Sequence, residues 1–255
     1  MYFGAHVSAA GGLDKTLDRA QEIGAEALQL FTQSPRMWKP TNHDPETFEL
    51  FKQRRLELAI PDGGVVAHAL YLCNLAAPDD EVYAKSRAAL CNTMEVACAI
   101  EADGVIIHVG SHLGAGMEVG IERVLPALEE VLELCNERTW LLLENSAGAG
   151  GTIGRSIDEL VTLFDACGHD RLGICLDTCH LYVSGVDVTD ETVVDALVED
   201  IEARIGLDRL RALHVTMRPH RWGRTATGTR TCSKGSSANG SAPSSSTPLC
   251  RDCPR

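Results

Sequence analysis

Five apolar runs in this chain each end in a side chain able to bind a metal: Val65-Val66-Ala67-His68, Val105-Ile106-Ile107-His108, Leu141-Leu142-Leu143-Glu144, Ile174-Cys175-Leu176-Asp177 and Ala212-Leu213-His214. A parallel sheet or α/β barrel gathers the carboxyl ends of its strands at one mouth, so these five residues would converge. Three imidazoles and two carboxylates in one place describe a divalent metal site, and zinc suits that donor set best. Glu144 closes the run Trp140–Leu143, where an unpaired carboxylate would be costly to bury, so it requires a cation or a firm hydrogen-bond network. Asp177 continues into Thr178-Cys179-His180; a turn after the strand would bring His180 to the same mouth. Each residue also has a plain structural reading, as a hydrogen-bonded strand-end histidine, a capping aspartate or a surface histidine. The coincidence of all six at barrel-compatible positions favours a metal-dependent enzyme.

The elements that must position these residues recur along the chain. Strand-like runs lie at Tyr2–Val7, Ala27–Phe31, Gly64–Ala69, Gly104–Val109, Trp140–Glu144, Gly173–Asp177 and Arg211–Val215. Most are continuous rather than alternating, as strands buried on both faces are. Helical spacing marks Leu13–Ile23, Glu81–Ile100, Glu122–Cys135, Ser156–Phe164 and Glu191–Ile205, and Ser156 with Glu159 makes a capping-box pattern. Seven β-then-α units predict a (β/α)₈ barrel of the TIM type, one strand short: an eighth strand should follow Val215, and none does.

At 255 residues the chain has room for one large α/β domain with a real core. No apolar run approaches the roughly 20 residues of a membrane span, and nothing resembles a signal peptide, so a soluble cytoplasmic protein is expected. The ten cysteines are scattered without small-scaffold spacing, and most read as buried small apolar residues in a reducing compartment. The net charge is −13, but from Arg218 onward there are seven basic residues and one acid, leaving −19 on residues 1 to 217. An acidic body counts against a polyanionic partner unless bound metal ions and a local basic rim reverse the field.

His112 follows a Gly/Ser loop beyond its strand and either touches substrate or caps the loop. His6 ends the first strand, where it could support a metal ligand. His43, His169 and His220 lie in polar loops and read as surface residues. Cys250 and Cys253 have zinc-knuckle spacing but no second pair. The Gly-Gly pairs match neither a phosphate-binding loop nor a dinucleotide fingerprint, and there is no Gly-x-Ser-x-Gly elbow.

Six segments together resemble endonuclease IV, the zinc-dependent abasic-site endonuclease family. They are Gly4-Ala5-His6-Val7-Ser8-Ala9-Ala10-Gly11-Gly12, Gln33-Ser34-Pro35-Arg36-Met37-Trp38, the stretch from His68 to Ala76, His108-Val109-Gly110-Ser111-His112, Glu144-Asn145-Ser146-Ala147-Gly148, and Cys175-Leu176-Asp177-Thr178-Cys179-His180. They run in the family order over about residues 1 to 216. The resemblance implies a xylose-isomerase-like barrel holding three zinc ions. His68, His108 and Glu144 would bind the first, and Glu144, as the catalytic carboxylate, would bridge to a second that also takes Asp177 and His214. His180 would bind the third. Arg36 and Tyr71 match loop positions that such enzymes press into the minor groove of DNA. The implied partner is double-stranded DNA carrying abasic sites, the implied reaction is hydrolysis of the phosphodiester on the 5′ side, and a monomer is expected. An abasic nucleotide has no stacked base to extract, so flipping it is cheap, and a side chain such as Arg36 or Tyr71 could fill the gap.

After His214-Val215 the family continues with Asn-Asp, an Asp-Arg-His-Glu-Asn box and an eighth strand ending in Glu, whereas here Thr216 follows directly. Three implied ligands are thereby missing, two of the third zinc and one of the second, so fewer than three zinc ions and strongly impaired turnover are expected. Residues 1–216 are read as the incomplete barrel and 217–255 as a low-complexity, disordered tail in which Leu249 is the only Leu, Ile or Val. The segment Thr227-Gly228-Thr229-Arg230-Thr231-Cys232-Ser233-Lys234-Gly235 can be encoded by bases that, one frame over, read Asp-Arg-His-Glu-Asn-Val-Leu-Glu-Gly. A frameshift between Val215 and Thr227, in the gene or in its reading, is therefore expected. The competing readings are a divalent-metal sugar isomerase or epimerase of the same barrel type, which has no need of the Gln33–Trp38 and His68–Ala76 loops, and an inactive zinc-binding remnant.

Overall fold

The structure is a computed structural model that describes residues 1–216. The expected tail at 217–255, with His220, the Thr227–Gly235 segment, Cys250 and Cys253, lies outside the described residues.

Seven short strands alternate with helices: β1 (Gly4–His6), α1 (Asp14–Glu22), β2 (Ala27–Leu30), α2 (Pro45–Glu57), β3 (Val65–His68), α3 (Asp80–Ala99), β4 (Gly104–His108), α4 (Met117–Leu132), β5 (Trp140–Glu144), α5 (Ile157–Cys167), β6 (Leu172–Asp177), α6 (Thr178–Ser184), α7 (Glu191–Arg204) and β7 (Leu210–His214). Every strand pairs in parallel with its neighbour in sequence, giving the order β1-β2-β3-β4-β5-β6-β7. This is the winding of an α/β barrel, and among the described residues no eighth strand lies between β7 and β1.

The strands separate two apolar layers. Leu28, Leu30, Val65, Ala67, Val105, Ile107, Leu141, Leu143, Ile174 and Leu176 face the helices and merge with Leu17, Phe51, Leu90, Met94, Leu128 and Leu160 into the main core. The opposite face holds a small inner cluster of Ile106, Leu142 and Cys175 with Val66, Trp140 and Ala212 around it. Because side chains alternate along a strand, the residue two positions beyond each of these must also face inward; beyond Trp140 that is Leu142 itself, and beyond the other five it lies one layer nearer the carboxyl ends. Those residues are His108, Glu144, Asp177, His68 and His214, so the apolar pattern itself aims the five at the mouth.

Helix starts are set by side-chain caps. Asp79 accepts from Val82 N–H, Ser156 from Glu159 N–H and Asp190 from Thr192 N–H. Glu159 does not reach back to its cap as a capping box would; its carboxylate takes the N–H groups of Gly154 and Arg155 instead. Helix α2 has no strong apolar stripe and buries only Phe51 and Arg55. Arg55 ties together the amino ends of the strands: it donates to the carbonyls of Pro61 and Glu101 and to the Asp103 carboxylate at 2.9 Å, which also accepts from Val65 N–H at 3.0 Å. Among the described residues Cys73 and Cys175 are buried, whereas Cys91, Cys98, Cys135 and Cys167 are half-buried and pack against the edge of the core and Cys179 is half-buried, so the expectation that most cysteines are buried holds for two of the seven described.

Candidate metal centre and DNA-facing loops

Strand register brings the candidate ligands into opposed pairs. His108 sits opposite Glu144 across β4 and β5, and Asp177 opposite His214 across β6 and β7. The second pairing depends on an irregularity: Ile174 pairs with Leu210 but Cys175 with Ala212, leaving Arg211 as an extra residue in β7. Without that bulge Asp177 would face Leu213, and His214 would turn its side chain to the other side of the sheet.

Glu144 is the hub, with 1% of its surface exposed. Its Oε2 lies 3.1 Å from His68 Nε2 and 3.3 Å from His108 Nε2. Its Oε1 lies 2.9 Å from His214 Nδ1 and 3.4 Å from His180 Nδ1. The two oxygens thus serve two neighbouring groups, His68–His108–Glu144 and Glu144–Asp177–His214, in each of which the ligating atoms lie within 4.8 Å of one another. Burial alone would push the Glu144 carboxyl up, but the surrounding histidines outweigh it and hold the group well below the usual range. Burial likewise disfavours charge on His214 and His180, yet Glu144 and Asp177 overcome it and raise both. For His108 burial wins over Glu144, and its pKa falls to about 4.

The protons on these rings decide whether a cation fits. His68 Nδ1 lies 2.7 Å from the Ala69 carbonyl and must donate to it, so a neutral His68 turns an Nε2 lone pair towards a carboxylate oxygen. Lone pairs facing a carboxylate at that distance are repulsive unless a positive charge lies between them. Tetrahedral zinc bonds of ~2.0–2.1 Å set neighbouring ligand atoms ~3.3 Å apart, close to the 3.1 and 3.3 Å found here. The donor set therefore fits a divalent ion, with the neutral imidazole ligands and outer hydrogen bonds that such sites use.

Asp177 caps α6: its Oδ1 accepts from His180 N–H at 2.9 Å, which leaves Oδ2 towards the histidines, 3.9 Å from His214 Nδ1. The chain does turn straight after β6, so His180 arrives at the mouth, 7% exposed. His180 Nδ1 donates to the Asn145 carbonyl at 2.9 Å, which frees Nε2. Sequence reasoning did not single out Asn145, whose side chain clamps the backbone N–H and carbonyl of Asp177. Nor did it single out Gln29, which contacts His6 and His214. The signal for Gln29 was present: in Ala-Leu-Gln-Leu-Phe it is the polar residue on the inward parity, between outward-facing Leu28 and Leu30.

His112 proves to cap its loop: Nδ1 accepts from Gly114 N–H and Gly116 N–H. Gly110, at φ +112°, allows that loop to pass Asn74, which a Cβ at this position would strike. His43 is half-buried against the Thr32 carbonyl at 2.7 Å, and His169 is half-buried with Nδ1 accepting from Arg171 N–H, so neither is the free surface residue expected.

Comparison with known proteins places this arrangement. A family profile described as Xylose isomerase-like TIM barrel matches residues 17–232. The chain is 40% identical over 217 residues to the probable endonuclease 4 of Halothermothrix orenii, covering 84% of this chain and 77% of that one. It is 39% identical over 214 residues to the probable endonuclease 4 of Methanoculleus marisnigri, covering 83% and 75%.

The chain belongs to the endonuclease IV family.

The crystal structure of endonuclease IV from Thermus thermophilus superposes with a TM-score of 0.73 at 35% identity, covering 84% of this chain and 76% of that one. A D-tagatose 3-epimerase-like protein superposes at 0.61 but with 18% identity, a likeness of fold alone. The loops that resemble endonuclease IV rather than sugar enzymes are joined here: Tyr71 N–H donates to the Pro35 carbonyl at 3.1 Å, placing Arg36 next to Tyr71 along one rim. Both are exposed. The Tyr71 ring stands edge-on to His68, with centroids 5.8 Å apart, and to Phe31 at 5.1 Å. No helix among the described residues is long and apolar enough to cross a membrane.

Proposed function

We propose that this chain is a zinc-dependent DNA repair endonuclease that hydrolyses the phosphodiester on the 5′ side of an abasic nucleotide, leaving a 3′ hydroxyl. The observation that carries this reading is the convergence, at one mouth, of two donor groups sharing Glu144 with the joined Arg36 and Tyr71 loops. His68, His108 and Glu144 would hold one ion; Glu144, Asp177 and His214 a second; His180 would offer Nε2 to a third. Bound divalent ions supply a nucleophile at neutral pH, neutralise the phosphate and stabilise the departing oxyanion.

The chain's own residues do the rest. Glu144 keeps the histidines ordered and sets the spacing of the two groups. The carbonyls of Ala69 and Asn145 fix the rings of His68 and His180, and Asp177 holds the backbone of His180. Tyr71, braced on Phe31 and His68, stands where it can fill the gap in the base stack. Arg36 supplies a positive charge beside it on an otherwise acidic protein. The sequence as written carries six of the nine ligands the resemblance implies, so turnover is expected to be slow.

The test is incision of a duplex carrying one abasic site by the zinc-supplied chain, with end analysis of the product. A 3′ hydroxyl on the 5′ side of the lesion supports the reading. Epimerisation of free ketoses with Mn²⁺ and no incision would replace it with the sugar-enzyme alternative.

A further inference from the structure

His6 and His214 belong to β1 and β7, the strands flanking the side of the sheet where backbone pairing stops, and Gln29 belongs to β2, which pairs with β1. Their side chains meet across it. Gln29 Nε2 lies 2.8 Å from His6 Nδ1, Gln29 Oε1 lies 2.7 Å from His214 Nε2, and His214 Nδ1 lies 2.9 Å from Glu144 Oε1. We infer that Gln29 is a positioning residue for the ion held by Glu144, Asp177 and His214: its carbonyl holds the proton of His214 on Nε2, so that Nδ1 presents a lone pair to the ion. This rests on reading those three residues as a cation site.

Two tautomers of His214 compete. Without a cation, Glu144 draws the His214 proton to Nδ1, the form that cannot ligate through that atom. The Gln29 carbonyl draws it to Nε2. An amide has one donor end and one acceptor end, so its orientation decides which tautomer is favoured. His6 sets the orientation, because its Nδ1 takes the amide N–H and leaves the oxygen for His214. The strand register makes the contact possible, since His6 and Gln29 are opposed across β1 and β2. Gln29 is half-buried, so the contact is only partly screened by water.

The test is a Co²⁺ titration against a competing chelator on the wild-type chain and on Gln29→Leu, Gln29→Glu and His214→Ala. Losing an outer partner of a metal-bound histidine costs roughly 10–100-fold in affinity, and that loss is expected for the second ion in Gln29→Leu, with the first bound as before. Gln29→Glu, which still accepts from Nε2–H, should restore it. If His214→Ala loses one ion while Gln29→Leu binds both as the wild type does, or if Gln29→Glu is as weak as Gln29→Leu, the inference is overturned and the metal reading survives. If His214→Ala binds as many ions as the wild type, the metal reading falls and takes the inference with it. Imidazole ¹⁵N NMR of the zinc-loaded wild type gives a readout that needs no variant: a proton on His214 Nε2 is expected, and metal bound at Nε2 overturns the inference.

Discussion

Glu144 shows how one side chain can set the geometry of a whole centre. Its Oε2 is directed at His68 and His108 and its Oε1 at His214 and His180. Gln in its place keeps the shape but removes the charge that both groups share. Glu144→Gln is expected to weaken both ions by more than the roughly 100-fold that losing an outer partner costs, measured by chelator competition. Asn145→Ala leaves every ligand in place but releases the Asp177 backbone. A loss of roughly 10–100-fold in affinity for the second ion is expected, with the first unchanged. The six ligand candidates were legible because each ends an apolar run or follows one directly, and burying a charge there demands a reason. Asn145 was not, because its side chain acts through hydrogen bonds to a backbone distant in sequence, of which spacing carries no trace, and for Gln29 the inward strand parity gave the position but not its partners His6 and His214.

Elements divide the labour between the two ends of the sheet. At the carboxyl ends, the Arg36 and Tyr71 loops form the rim that we propose faces DNA. Tyr71→Ala removes a stacking surface of the kind worth about 1–3 kcal/mol; binding to abasic duplex should weaken about tenfold while ion affinity stays level, as fluorescence anisotropy and chelator competition would show. At the amino ends, the Arg55–Asp103 pair bonds to three backbone groups and has no contact with the centre. Breaking a buried pair from one side costs about 3–5 kcal/mol, so Asp103→Ala should lower denaturant stability by that order without changing ion stoichiometry in the folded fraction. The seven strands were foreseen to within a residue or two because continuous apolar runs bounded by Gly and polar residues mark buried parallel strands. Helix α2 was missed because it buries only Phe51 and Arg55, too little to leave a stripe. The bulge at Arg211 was invisible as well, since register belongs to two strands at once.

The whole molecule carries a net charge of −13, so its attraction for DNA must come from the rim and from bound cations. Chelation should therefore weaken DNA binding. It should also lower the melting temperature: an ion present at 100 times its Kd stabilises by about 2.7 kcal/mol, worth roughly 5–10 °C for a chain of this size. A nucleotide read across the codons for His214 to Gly235 is expected to carry the Asp-Arg-His-Glu-Asn box in a neighbouring frame; its absence from all three frames would remove the frameshift explanation. Incision tests most directly whether two ions sharing Glu144 cut DNA beside an abasic site, as we propose. The chain, supplied with zinc, is incubated with a single-lesion duplex beside a chelated sample and the Glu144→Gln variant. Slow incision on the 5′ side that disappears in both controls is predicted. Incision that survives chelation, or a zinc-loaded chain that cuts no faster than Glu144→Gln, would contradict it.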